Sequence, residues 1–184
     1  MKKEKFITEI IEIAENAGIE FDQLDEEEPP MSNTKFARKM FELATEAAKT
    51  FKINAAIVAA QAVLESGYGR SLLCRKANNL FGIKAFSSWK GPKYAIKTRE
   101  WDANKGMYVI KAQFRQYRNW GESIEDLGEI IGRLSWYADA AANCDDPMKY
   151  LEGILPTERE PGWATDPHYR EKILNIARKF GWME

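Results

Sequence analysis

The sequence predicts a mainly α fold, a helical body carrying one small β-hairpin lobe. Three observations predict it. Residues 55–64, AAIVAAQAVL, are apolar almost all round, the signature of a helix buried on most sides. Segments on either side of that run place their apolar residues at helical spacing. Between Phe81 and Trp120 the pattern changes to two strand-like stretches, Tyr94–Arg99 and Met107–Phe114, separated by the polar turn Asp102–Gly106.

Taken in order, the first element is an amphipathic helix up to Gly18, in which Phe6, Ile7, Ile10, Ile11 and Ile13 alternate with Glu4, Glu9, Glu12 and Glu15. Asp25-Glu26-Glu27-Glu28-Pro29-Pro30 then reads as a linker. Residues 1–33 are therefore expected to form an N-terminal helix and acidic linker, and residues 34–184 the main domain. A helix from Asn33 has the apolar stripe Phe36, Met40, Phe41, Leu43 and Ala44. The buried helix starts at Asn54, a good N-cap, and Gly67 and Gly69 stop it just after Glu65. After the hairpin, Ser123 with Asp126 three positions on reads as a capping box before Leu127, Ile130, Ile131 and Leu134. Asp146-Pro147 and Asp166-Pro167 each read as an N-cap followed by proline at the first helical position.

Composition limits the function classes. With 45% hydrophobic residues in 184, the chain can bury a sizeable core, and most of its aromatic residues belong there. The net charge of −1 conceals an asymmetry: residues 1–33 hold ten acids and three lysines, leaving 24 bases against 18 acids in the remainder. A basic body suits an anionic polymer. No helix-turn-helix, zinc-finger or RNA-binding signature accompanies it, so nucleic acid is not an expected partner. Cys74 and Cys144, far apart and without a CxxC, argue against a disulfide framework and a zinc site. The amphipathic start lacks the uninterrupted apolar stretch of a signal peptide, and no later run is long enough to cross a membrane. The expectation is synthesis in the cytoplasm without a signal peptide and without membrane insertion.

Nucleophilic chemistry fits poorly. His168 is the sole histidine, and Ser66 lacks the glycine two positions back that a nucleophile elbow requires. Phosphate-binding loops are absent. Carboxylates remain, and Glu65 is oddly placed at the end of a nearly all-apolar helix. Apolar surroundings and the negative end of the helix dipole both push its pKa upward, as a general acid working near neutral pH needs. The plainer alternative is a glutamate that points to solvent or pairs with Arg70.

Four motifs then appear in order. They are Ala59-Ala60-Gln61-Ala62-Val63-Leu64-Glu65-Ser66-Gly67-Tyr68-Gly69-Arg70-Ser71, Lys76-Ala77-Asn78-Asn79-Leu80-Phe81-Gly82-Ile83-Lys84, Thr98-Arg99-Glu100 with Phe114-Arg115-Gln116-Tyr117, and Gly162-Trp163-Ala164-Thr165-Asp166-Pro167-His168-Tyr169. Together, across residues 35–182, they resemble the bacterial and phage endo-β-N-acetylglucosaminidases of glycoside hydrolase family 73, which include the flagellar rod-cap hydrolase and many autolysins. Residues 1–33 lie outside the resemblance. It implies a lysozyme-like α+β fold with a substrate groove between helical body and hairpin. It also implies hydrolysis of the β-1,4 bond between N-acetylglucosamine and N-acetylmuramic acid in peptidoglycan.

By the same resemblance Glu65 is the general acid and Glu100 the second carboxylate, acting as base or stabiliser. Strand alternation puts Ile96, Thr98 and Glu100 on one face, while an ordinary hairpin-end charge is the alternative for Glu100. Asn78 and Asn79 either bind an N-acetyl group or shape the turn. Trp163 stands where the family normally has tyrosine, keeping a stacking face and an N–H donor but losing a hydroxyl, and Tyr169 retains the second tyrosine. Asp166 reads first as a helix N-cap, with a direct part in substrate binding or catalysis as the alternative. Tyr137, with Trp136 and Trp89, is either a stacking platform or core. No metal or organic cofactor is indicated, and peptidoglycan glycan strands are the expected partner, met at the cell wall after release, as by a phage-type lysin or an autolysin. The rivals are a muramidase or lytic transglycosylase on the same fold, and a non-catalytic wall-binding module.

Overall fold

In a computed structural model the described residues are 31–102 and 106–184, with side chains described outside 97–110. The amphipathic helix and acidic linker expected before Met31 lie outside the described residues. Seven α-helices, one short 3-10 helix (Ser135–Tyr137) and one two-stranded antiparallel sheet are present among those described. The helices are α1 (Asn33–Ala48), α2 (Ala55–Glu65), α3 (Leu72–Ala77), α4 (Trp120–Arg133), α5 (Ala138–Ala142), α6 (Pro147–Ile154) and α7 (Tyr169–Lys179); the strands are β1 (Lys93–Asp102) and β2 (Gly106–Arg115).

Helix α2 is the centre of the body. It packs against α1, α6 and α7, and every residue from Ala56 to Val63 is buried. Alanines at 59, 60 and 62 let neighbouring backbones approach, while Ile57, Val58 and Val63 each contribute roughly 1.5–3 kcal/mol by burial. Asn54 caps it as expected, its Oδ1 accepting from Ile57 N at 3.2 Å and its amide donating to Cys144 O at 2.8 Å. The end of α2 is equally well defined. Ser66 Oγ donates to Ala62 O and accepts from Gly69 N, and Gly67, Tyr68 and Gly69 turn the chain with positive φ. A side chain at Gly69 would meet the Phe36 ring at 2.5 Å, so glycine is required there twice over.

The hairpin has the register Lys93↔Arg115 through Asp102↔Gly106, longer at both ends than the alternation predicts. Residues 83–85 add a fragment of a third strand beside β2, through the Lys84↔Phe114 bridge. The lobe is tied to the body where β2 ends. Arg115 Nη1 donates to both oxygens of Asp126 on α4 at 2.5 and 2.7 Å, and Tyr117 OH donates to Asp126 Oδ2 at 2.6 Å. Arg115 and Asp126 side chains are only 10% and 11% exposed, so this pair is largely shielded from water.

Two helix starts differ from expectation. Helix α4 begins at Trp120 with Asn119 as its cap, one turn before the expected Ser123. Asn119 Oδ1 accepts from Glu122 N, and Glu122 reaches back to Arg118 N, so a cap of the same logic sits one turn earlier. Ser123 is buried and accepts from Leu80 N, and Asp126 is taken by the Arg115 pair. Helix α7 begins at Tyr169, with His168 rather than Asp166 at the cap position. Asp146-Pro147 behaves as expected, Asp146 Oδ1 accepting from Met148 and Lys149 amides.

Breaking the hairpin anchor has a predictable cost. Asp126→Ala strands the shielded Arg115 guanidinium, and denaturant unfolding is expected to show a loss of about 3 kcal/mol or more. A loss below about 1 kcal/mol, the range of an exposed pair, would show that the lobe is held by other contacts.

Candidate active site

A groove crosses the end of α2. On one side a cleft of about 630 Å³ is lined by Leu64, Glu65, Phe81, Tyr137, Trp163 and Tyr169, with Asp166 and Lys172 at its edge. On the other a recess of about 320 Å³ is lined by Glu65, Leu73, Leu80, Ile96 and Phe114. Glu65 and Gly82 belong to both. The carboxylate therefore stands where the two halves meet, with the helical body on one flank and the hairpin on the other.

Glu65 is more than a third exposed, its side chain open to the groove, yet the walls beside it remove enough hydration to raise its pKa. Burial raises its pKa above the ordinary glutamate value of 4.5, while the hydrogen bond from Tyr169 and then the neighbouring Trp163 indole pull it back part of the way. Tyr169 OH donates to Glu65 Oε1 at 3.0 Å. That phenol is 3% exposed, and burial followed by the neighbouring Glu65 charge pushes its pKa far up, so it stays a donor. Behind it Gln61 Nε2 donates to Tyr169 OH at 3.2 Å. Trp163 lines the same cleft, its indole close enough to favour the Glu65 carboxylate, and sets its ring edge-on to Phe81, centroids 6.2 Å apart.

The other expected site residues separate into two groups. Tyr137, Trp163, Asp166 and Tyr169 join Glu65 around the larger cleft. Asp166 Oδ1 accepts from His168 N at 2.9 Å and its Oδ2 holds Lys172 Nζ at 2.5 Å. The lysine, and then the amide, hold its pKa below the usual range, which suits a fixed anion and not a proton donor. Asn78 and Asn79 have their amides occupied. Asn78, in a left-handed conformation, donates to Tyr117 O and Arg118 O. Asn79 is 1% exposed, donates to Ile83 O and Arg115 O, and accepts from Ile83 N. These bonds are those of turn-shaping residues, though Asn79 still borders the smaller recess. Trp89 lies against Tyr117 and Arg115, part of the lobe anchor. Trp136 packs edge-on to Tyr137 and lines a separate recess.

Glu100 lies on β1 opposite Tyr108, four residues beyond Ile96, and its side chain is outside those described. Gln61 was missed by sequence reasoning. Its signal was available: the one polar side chain in an apolar run, a helical turn before the odd glutamate.

Comparison with known proteins follows the same residues. The profile of a glucosaminidase family, described as mannosyl-glycoprotein endo-beta-N-acetylglucosaminidase, matches residues 41–181. The chain is 32% identical over 155 residues to peptidoglycan hydrolase FlgJ of Vibrio cholerae, covering 83% of this chain and 45% of that protein. It is 37% identical over 125 residues to exo-glucosaminidase LytG of Bacillus subtilis, covering 67% of this chain and 43% of that one. The chain thus spans less than half the length of these curated relatives. The catalytic domain of the autolysin Auto from Listeria monocytogenes superposes with a TM-score of 0.70 at 28% identity, over 85% of this chain and 89% of that one. A C-terminally truncated glycoside hydrolase domain of Salmonella typhimurium FlgJ gives 0.67 at 28%, over 83% of this chain and 100% of that one.

The raised pKa of Glu65 has a sign that melting curves can read. A carboxyl held above 4.5 in the fold binds its proton more tightly than in the unfolded chain. That contribution is complete below about pH 4.5 and is lost as pH rises through the folded value. Glu65→Gln keeps an acceptor for Tyr169 and never ionises. Its melting temperature relative to the natural protein is therefore expected to rise between pH 4 and neutrality, and a pH-independent difference would contradict the burial argument.

Proposed function

Because the chain belongs to the glucosaminidase family, whose profile spans most of it, we propose that it hydrolyses peptidoglycan glycan strands at the β-1,4 bond between N-acetylglucosamine and N-acetylmuramic acid. One observation carries this reading: an acid with a raised pKa lines both halves of a groove and accepts a hydrogen bond from a buried tyrosine. The groove continues on both sides of Glu65, which favours cleavage within a strand over cleavage at its end.

In this mechanism the strand lies across the end of α2, with sugar faces against Tyr137 and Trp163. Glu65 protonates the leaving glycosidic oxygen as oxocarbenium character develops at the neighbouring carbon. Tyr169 then stabilises the carboxylate that the proton leaves behind, since it donates to Oε1 and stays protonated in the working range, and the Trp163 indole beside it favours the same charge. Glu100, at a register position two steps of the β alternation beyond Ile96, completes the pair from the hairpin by activating water or stabilising charge. The paired Asp166 and Lys172 shape the cleft edge.

The test is digestion of purified peptidoglycan with analysis of the new reducing ends. The expected product ends in N-acetylglucosamine; ends in N-acetylmuramic acid or its anhydro form would replace this reading with a muramidase or a lytic transglycosylase. Glu65→Gln is expected to lower the rate at least about a hundredfold while still binding the wall polymer. Glu100→Gln is expected to lose nearly as much. Should it lose only a few-fold, the substrate's own N-acetyl oxygen becomes the better candidate for the second group.

A further inference from the structure

Gln61 is 1% exposed in a helix whose other residues from Ala55 to Leu64 are apolar. A buried amide is costly unless it is bonded, and this one lies a single helical turn before Glu65, on the same face. Its Nε2 donates to the Tyr169 oxygen at 3.2 Å, and Tyr169 donates to Glu65 Oε1 at 3.0 Å. A phenol has one proton. With an amide hydrogen seated on the oxygen's lone pair, that proton is left for Glu65.

Resting on the reading of Glu65 as the acid, we propose that Gln61 is a positioning residue for the reaction, holding the Tyr169 hydroxyl with its proton aimed at Glu65 Oε1. Oε1 is then the accepting oxygen and Oε2 the one that carries the proton to the substrate. Gln61 acts through Tyr169 and does not touch the glycan. Polarised by the amide, the phenol is also a stronger donor than it is alone, which eases departure of the Glu65 proton.

The charged and titratable groups around this relay are few among the described side chains. Tyr137 faces Tyr169 and is held neutral by burial. Across the cleft Asp166 and Lys172 are paired at 2.5 Å, so their charges largely offset. On the recess side Ser71 and Asn79 carry no charge.

The experiment compares Gln61→Leu, Tyr169→Phe and the double variant in the full chain. Gln61→Leu keeps side-chain size and removes the donor. It is expected to lower kcat on peptidoglycan about tenfold with KM within about twofold, because an imprecisely held acid loses rate rather than binding. The alkaline limb of its pH profile and the Glu65 carboxyl titration, followed by 13C NMR, are both expected to move up, since a weaker donor stabilises the carboxylate less. In the Tyr169→Phe background, Gln61→Leu is expected to add almost nothing to either shift.

Full additivity in the double variant, or a Gln61→Leu protein changed only in melting temperature, would overturn the proposal. If Gln61→Leu does not fold, Gln61→Glu keeps it falsifiable. The carboxyl introduced by that change donates to the phenol while protonated, as the amide does. Once ionised it accepts the phenol proton and leaves Glu65 without it. Activity should then survive at acid pH and collapse on a steeper alkaline limb, and a profile of unchanged shape would overturn the relay. Natural protein that releases no reducing ends would sink the proposed function alone, because the NMR titration needs no substrate.

Discussion

One constraint organises this molecule: a carboxylate must be kept at the end of a helix that is buried on almost every side. Helix α2 is held by α1, α6 and α7 and is apolar from Ala55 to Leu64 except at Gln61. Such a helix cannot drift or fray without exposing its core, so its last residue is fixed to a degree that an exposed helix end is not. The chain then leaves α2 through a turn of three positive-φ residues that Ser66 closes from within. Glu65 is thereby held at the groove, where water is partly excluded and its proton is retained to higher pH.

The rest of the site is arranged around that fixed point. Tyr169 is the first residue of α7, which itself packs on α2, so phenol and carboxylate are brought together by two helices in contact. The opposite wall comes from the hairpin, anchored by the shielded Arg115–Asp126 pair and by Asn79 bridging Ile83 and Arg115. Asn78 and Asn79, for which the sequence leaves sugar contact and turn shaping both open, bond the backbone where the lobe meets the body. Their place in a motif is explained by geometry as fully as by recognition.

Much of this was legible in the sequence because its strongest signals are local. The α2 run, its Asn54 cap and its glycine stop, and the alternation of β1 and β2 each depend on neighbouring residues alone. Expectation and structure part where a tertiary partner overrides a local one. Ser123 and Asp126 have the spacing of a capping box, yet Leu80 claims the serine and Arg115 the aspartate, and Asn119 caps the helix instead. Asp166 has the form of an N-cap, but its second oxygen is drawn to Lys172 and the helix begins at Tyr169. The short helices α3 and α5, of six and five residues, carry too few turns for periodicity to register. The Gln61–Tyr169–Glu65 relay spans 108 residues between its first two members, and no local pattern announces it.

The central claim is that a glycan strand runs across Glu65 with sugars on both sides and its scissile oxygen at that carboxyl. A crystal structure of Glu65→Gln with a peptidoglycan tetrasaccharide tests it most directly. Sugar rings are expected in both the cleft beside Trp163 and the recess beside Phe114, with one glycosidic oxygen within hydrogen-bonding distance of the side chain at position 65. A tetrasaccharide bound elsewhere, or one that stops short of that side chain, would contradict the claim.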